Sequence, residues 1–265
     1  MTRPTPDIPA ISPFYLRWFT WYGRRYVRKN IHALRISKAG PAPPLDDSPA
    51  IVYLNHPSWW DPMIGLAIAS KAYTDRTHYA PMDDRALAKY RFFSKLGFFP
   101  VRPDSRRGAV SLLRHGAAIL AQPNSTLWLT PQGHFTDVRA RPTEFRPGIG
   151  HLARRIERGV AVPMALEVTF WNERSPEALV RFGEPIAFDG AHRDDSSADW
   201  TDRLERALEV TQDALAEEVM RRRPNDFDTL LGGRAGVGGV YDIWRRFKAA
   251  LHGRAFHPEH DREAP

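Results

Sequence analysis

The chain has 265 residues and a mass of 30.2 kDa, with 42% apolar and 26% charged residues, a balance that supports a packed core and excludes wholesale disorder. Cysteine is absent, which removes disulfide frameworks, cysteine–zinc sites, iron–sulfur clusters and thiol nucleophiles. The net charge of +7 is concentrated in residues 1–40, where eight Lys and Arg face the single acid Asp7, and no apolar run reaches the roughly 18 residues of a spanning helix.

Within this basic arm, Phe14, Tyr15, Trp18, Phe19, Trp21, Tyr22 and Tyr26 are spaced as on a helix and lie among Arg17, Arg24, Arg25 and Arg28. Amphipathic rings beside cationic stems suit a membrane–water interface, where rings sit at headgroup depth and guanidinium groups reach lipid phosphates. The same helix could instead pack its rings on the body. Nucleic acid also attracts basic arms, but no groove-reading motif accompanies this one and nucleic acid is not expected as a partner. The arginines interrupt any apolar core of a signal peptide. The expected location is therefore the cytoplasmic side of a membrane, held peripherally rather than by a spanning helix.

Further along, a strand is expected over 31–37, a proline-rich linker over 40–50, a short strand over 51–54 and a helix over 59–70. A strand over 77–80 precedes a helix over 84–96 that Gly97 ends. Residues 98–102 read as a strand, 105–121 as an amphipathic helix and 125–130 as a buried strand. A loop rich in Arg and Pro leads to a helix over 148–158. Two strands follow over 160–163 and 165–171, then a strand pair around 180–188 and a long helix over 199–222. Such alternation implies an α/β sheet with helices on its faces. The expected units are the arm 1–40, a body over 41–225, and a C-terminal piece over 226–265. That last piece holds a glycine-rich hinge and a second aromatic-basic helix around Tyr241, Trp244 and Phe247.

Chemistry enters at Asn55-His56-Pro57-Ser58-Trp59-Trp60-Asp61-Pro62. Pro57 biases His56 toward extended backbone. His56 and Asp61 are five apart and would not share a face of one continuous helix. A turn at Pro57–Ser58, with the helix starting after it, brings the carboxylate back to the imidazole. There it would fix the ring tautomer and offset the charge gained when the other nitrogen takes a proton. Other patterns lack context. Gly148-x-Gly150-x-x-Ala153 is preceded by an Arg-Pro loop instead of a strand, and no G-x-S-x-G is present.

The stretch resembles the N-H-x-S-x-x-D block of the glycerolipid acyltransferase superfamily, which includes the lysophosphatidic acid acyltransferases. Three further blocks follow in order. Gly97-Phe98-Phe99-Pro100-Val101-Arg102 is similar to the second, and Leu127-Trp128-Leu129-Thr130-Pro131-Gln132-Gly133-His134-Phe135 to the third. Phe145-Arg146-Pro147-Gly148 matches its continuation, and Val160-Ala161-Val162-Pro163-Met164-Ala165 is similar to the fourth. The resemblance covers residues 50–190 and implies a single mixed β-sheet flanked by helices, an acyltransferase domain over 41–225. It also implies transfer of a fatty acyl group from an acyl thioester to a hydroxyl of a lysophospholipid or other lipid acceptor. His56 would be the general base and Asp61 its orienting partner. Asn55, Ser58, Arg102, Gln132, Gly133, His134 and Arg146 would contact substrate, with Arg106 and Arg107 as additional phosphate candidates. Acyl-coenzyme A or an acyl carrier protein would serve as co-substrate, with no cofactor and no metal. The other class of reading is a catalytically inactive lipid-binding or scaffold protein on the same fold.

The third block departs from the usual Pro-Glu-Gly-Thr-Arg. Gln132 replaces Glu, His134 replaces Thr and Phe135 replaces the arginine that would hold the acceptor's phosphate. Phosphate recognition could have moved to Arg139, Arg141 or Arg146. Otherwise the acceptor carries no phosphate there, and a glycolipid, a terpenoid or carotenoid glycoside, or an aminolipid becomes plausible.

Overall fold

Residues 8–188 and 194–233 are described in a computed structural model. They run α1 (Pro13–Asn30), β1 (Ala33–Ser37), β2 (Ala50–Leu54), α2 (Asp61–Ala72), β3 (Thr77–Asp83) and α3 (Asp84–Lys89). After a 3-10 turn (Arg91–Leu96) come β4 (Phe98–Val101), α4 (Arg106–Leu120), β5 (Ser125–Leu129), α5 (Gly148–Ala153) and β6 (Gly159–Thr169). The chain continues through β7 (Glu177–Phe182), β8 (Ile186–Phe188), α6 (Ser197–Arg221) and β9 (Phe227–Gly232).

Among the described residues the strands form one mixed sheet of nine, in the order β4-β3-β5-β2-β6-β7-β1-β9, with β8 also against β6. Strands β4, β3, β5, β2 and β6 run parallel, whereas β7 and β8 are antiparallel to β6 and β9 is antiparallel to β1. A single mixed sheet with helices on both faces is the architecture expected. Central β2 is buried throughout, as a strand covered on both faces must be. Its Val52 and Leu54 face a core shared with α1 and α2, while Ile51 and Tyr53 face one shared with α4, α5 and α6.

Helix α1 packs one stripe of the aromatic arm on the body and leaves the other rings exposed. Phe19, Gly23 and Val27, at helical spacing, are buried, and Phe19 packs on Phe92 and Phe93 at 5.6 and 5.5 Å. Gly23 lets α1 approach α2 closely, since a Cβ there would lie 3.2 Å from Leu66 and 3.3 Å from Met63. Phe14, Tyr15, Trp18, Trp21 and Tyr22 remain exposed on the outer side. No helix among the described residues is long and apolar enough to cross a membrane.

Several elements differ from the sequence-based expectation. The helix expected over 84–96 breaks at Tyr90 (φ −119°, ψ 64°) into α3 and the 3-10 turn, which turns Phe92 and Phe93 toward α1; Gly97, at φ +97°, ends it as foreseen. The strands expected over 160–163 and 165–171 are one strand, β6. Pro163 fits inside it because that edge changes partner there, from β8 over Gly159–Ala161 to β7 from Met164 onward, so no ladder donor is demanded of it. For the same reason β7 and β8 do not pair with each other but follow one another along β6. The sheet also takes in β1 and β9, which the boundaries at 40/41 and 225/226 had left in the arm and the tail. The C-terminal aromatic-basic helix expected around Tyr241–Phe247 lies outside the described residues.

Candidate active site

The carboxyl ends of the parallel strands bring three of the marked residues to one edge of the sheet, where His56 follows β2, Arg102 follows β4 and Gln132 follows β5, with Asp84 following β3 among them. In open α/β sheets this edge is where ligands bind. His56 leaves β2 in extended chain, Pro57 and Ser58 turn, and α2 starts at Asp61. The predicted return of the carboxylate takes place, with Asp61 Oδ2 2.5 Å from His56 Nδ1.

Asp61 is 4% exposed and is fixed from a second side by Ser58, whose Oγ donates to Oδ1 at 3.2 Å and whose N–H faces Oδ2 at 3.4 Å. The carboxylate sits in the first turn of α2, where the helix dipole favours negative charge. With a carboxylate accepting at Nδ1, the neutral imidazole carries its proton there and its Nε2 is the basic atom. Nε2 has no hydrogen-bond partner among the described residues, and the side chain is 21% exposed. The pair is therefore a buried acid, an oriented ring and an open basic nitrogen.

The backbone of His56 is held as firmly as its ring. Its N–H donates to Oε1 of the buried Gln132 at 2.9 Å, and its carbonyl accepts from the N–H of Thr136 at 2.9 Å. The residues from Gln132 to Thr136 thus wrap the base. Phe135, more than half exposed, places its ring centroid 4.4 Å from that of His56. Gly133 is required by the backbone (φ +71°) and by space, because a Cβ there would sit 2.5 Å from Arg146 Nε. Arg146 Nε donates to the Gln132 carbonyl at 3.1 Å, as does His134 Nδ1 at 3.0 Å.

The return half of this loop is anchored on α6. The N–H of Thr143 donates to Glu209 at 2.8 Å, and those of Glu144 and Phe145 donate to Glu205 at 2.7 and 3.3 Å. These two carboxylates, one turn apart on a helix sixty residues downstream, went unrecognised in the sequence. Their i,i+4 spacing alone does not separate them from any solvated helix face. The contact of Phe135 with His56 was equally unforeseen, although the residue itself had been singled out.

Two of the expected substrate contacts carry structural hydrogen bonds. Asn55 is buried and pairs its amide with Leu166 of β6, donating to the carbonyl and accepting from the N–H, both at 2.9 Å. It extends the pairing of β2 with β6 one step past the ladder. Ser58 serves Asp61 and also accepts from the Trp60 N–H at 3.2 Å, so it shapes the turn. The arginines expected at phosphate are each matched to an acid: Arg102 to Asp84 at 2.8 Å, Arg139 to Asp137 at 2.8 Å, Arg141 to Asp213 at 2.6 Å and Arg146 to Asp104 at 2.8 Å. Arg106 and Arg107 stand exposed in the first turn of α4, beside an N-cap that Ser105 supplies to Gly108.

Comparison with curated proteins finds no significant match. Among solved structures, the 1-acyl-sn-glycerophosphate (LPA) acyltransferase PlsC from Thermotoga maritima is similar at 15% identity and a TM-score of 0.47, over 76% of this chain and 79% of that one. The Acyltransferase family profile matches residues 21–167, more than half of the chain and the whole stretch from His56 through Arg146. The chain belongs to the acyltransferase family.

Proposed function

We propose that the chain is a membrane-associated O-acyltransferase that moves a fatty acyl group from a thioester to a lipid hydroxyl. The observation that carries this reading is the His56–Asp61 pair at 2.5 Å with Nε2 open. Nε2 takes the proton of the acceptor hydroxyl as its oxygen attacks the thioester carbonyl. The tetrahedral intermediate then collapses, the C–S bond breaks, and the departing thiolate recovers the proton from the imidazolium. The products are an ester and a free thiol. Asp61 holds the ring in the required tautomer and offsets its transient charge, and general-base assistance of this kind is worth about 10²–10⁴-fold. The thiol carrier is coenzyme A or an acyl carrier protein.

Location at a lipid surface is supported by the outer face of α1. Phe14, Trp18, Trp21 and Tyr22 line that face, which continues into the exposed Arg25, Arg28 and Lys29. Rings at one end and cations at the other suit a helix lying in the headgroup layer. The buried stripe of α1 joins it to α2, and Tyr26 meets Trp60, the residue before Asp61, at 5.5 Å between ring centroids. A docked α1 would thereby hold the catalytic pair close to the lipid.

The deciding experiment mixes purified protein with acyl-coenzyme A or an acyl carrier thioester and a panel of lysolipids and hydroxylated lipids, and measures free thiol and esterified product. Acceptor-dependent thiol release that is abolished in His56→Ala is expected. No release by wild-type protein with any donor and acceptor would favour the lipid-binding scaffold instead.

A further inference from the structure

The cations of the body fall into two groups. Those near the base are matched to acids, as Arg102, Arg139, Arg141 and Arg146 show. Between Asp84 and Leu96 the pattern is the opposite. Arg85, Lys89, Arg91 and Lys95 are all exposed, and among the described residues none of them is paired with an acid. Asp84, the one acid of that stretch, is taken by Arg102 at 2.8 Å. Arg85 and Lys89 stand one turn apart on α3, a spacing at which like charges weaken a helix. Nothing inside the fold gains from this charge, which leaves it to an anionic partner.

The same stretch lies directly against α1. The N–H of Ser12, the residue before α1, donates to the Lys95 carbonyl at 2.8 Å. Phe19 of α1 packs on Phe93, Phe93 meets Tyr90 edge-on at 6.3 Å, and Lys89 Nζ lies 5.1 Å from the centre of the exposed Tyr90 ring. Phe92, Phe93 and Leu96 share one core with α1 and α2, so the stretch stands on the same side of the sheet as α1. Lys95 is thus beside the start of α1, at the end remote from Arg28 and Lys29. Rings interleaved with long cationic stems are the composition of a headgroup-layer contact, here continuous with the exposed rings of α1. One helix lying in that layer leaves the body free to roll about the helix axis. A second contact to the side of the axis removes that freedom. Arg106 and Arg107 do not join this surface, because α4 packs in the core of the opposite side.

We infer that residues 85–95 form a second membrane contact, a basic surface continuous with α1 that takes anionic lipid headgroups and fixes the roll of the body on the bilayer. The inference rests on the membrane reading of α1 and adds to it a separate element and a charge preference. The test sediments the full-length protein with vesicles of three parts phosphatidylcholine to one part phosphatidylglycerol, and with vesicles of phosphatidylcholine alone. Arg91→Gln combined with Lys95→Gln should weaken binding to the anionic vesicles about 25-fold, or about fivefold for each cation at an anionic surface. Binding to phosphatidylcholine alone should stay within about twofold, because no lipid charge is lost there. Arg154→Gln combined with Arg155→Gln removes the same charge from exposed positions at the end of α5, which packs in the opposite core, and should change anionic binding by less than about twofold. Circular dichroism checks the fold, and Lys89→Gln, with its own loss of about fivefold, serves if the double variant does not fold. Unchanged anionic binding in the folded variants, or an equal loss in the Arg154 and Arg155 variant, overturns the second contact and leaves the α1 reading standing. Failure of the wild-type protein to bind either vesicle overturns both. Loss of binding to a purified acyl carrier protein, with vesicle binding retained, assigns the surface to an acidic protein and overturns the lipid contact.

Discussion

Replacing Asp61 by Asn is the sharpest probe of the catalytic pair, because the change is nearly isosteric and acts on a proton. The carboxylate now accepts from His56 Nδ1 at 2.5 Å and from Ser58 at 3.2 and 3.4 Å. An asparagine can keep Oδ1 toward Ser58, and its amide nitrogen then faces His56. That nitrogen donates, so Nδ1 must accept, and the ring's own proton moves to Nε2. The basic atom is then the one already protonated. The fold changes little, but the ring is locked in the wrong tautomer and its transient charge loses the nearest anion. Losing general-base assistance alone costs about 10²–10⁴-fold, or roughly 3–5 kcal/mol of transition-state stabilisation. The same exchange in the Ser-His-Asp triad of serine proteases costs about 10⁴. Thiol release by Asp61→Asn should therefore fall at least about a hundredfold, with an unchanged circular dichroism spectrum and melting temperature. A variant that folds normally and turns over within about threefold of wild type would remove Asp61 from the mechanism and with it the tautomer argument.

Four further outcomes test the surrounding structure. Gly133→Ala should lose about 1–2 kcal/mol to the left-handed backbone and up to about 1 more as Arg146 is pushed off the Gln132 carbonyl, which thermal unfolding would register. Asn55→Leu should destabilise by about 2–5 kcal/mol in denaturant titrations, because the buried N–H and carbonyl of Leu166 lose their partners together. Trp18→Ser combined with Trp21→Ser should weaken sedimentation with anionic vesicles and leave the melting temperature within a few degrees, since both rings are exposed; added salt should weaken the remaining, charge-driven part. Burial holds the His78 pKa down at about 4 against 6.5, while its ring accepts from Trp128 and donates to the Tyr73 carbonyl. The neutral form is the folded form, so His78 supports stability above pH 6.5 and withdraws about 3 kcal/mol as pH falls toward 4, a slope that His78→Gln should flatten in unfolding measured across that range.

Where a local pattern determines structure, the sequence was legible. The apolar runs at Ile51, Leu127 and Val160 became central strands, Gly97 ended its turn, and the Pro57–Ser58 turn returned Asp61 to His56. Failures came where distant partners decide the outcome. β9 has little strand signal in Phe-Asp-Thr-Leu-Leu-Gly and exists because β1 offers it an edge. Residue type likewise misled the reading of substrate contacts. Asn55 carries the polar chemistry of a binding residue, yet β6 lies close enough to pair with it through both an N–H and the carbonyl oxygen. The acidic neighbours of the loop arginines, Asp104, Asp137 and Asp213, could likewise not be placed from the sequence.

The carboxylates of Glu205 and Glu209 that grip the backbone of 143–145 have a consequence for how such a protein can be re-engineered. Positions 132–146 read along the chain as a portable specificity cassette, a short stretch whose exchange would retarget the enzyme. Three consecutive backbone donors of that cassette, however, end on a helix encoded some sixty residues later. A loop transplanted from a relative would arrive without its moorings unless the matching positions of α6 came with it. Inheritance imposes the same condition, so that drift in this loop and drift in α6 are tied to each other. The conformation of this loop is a property of two distant stretches taken together.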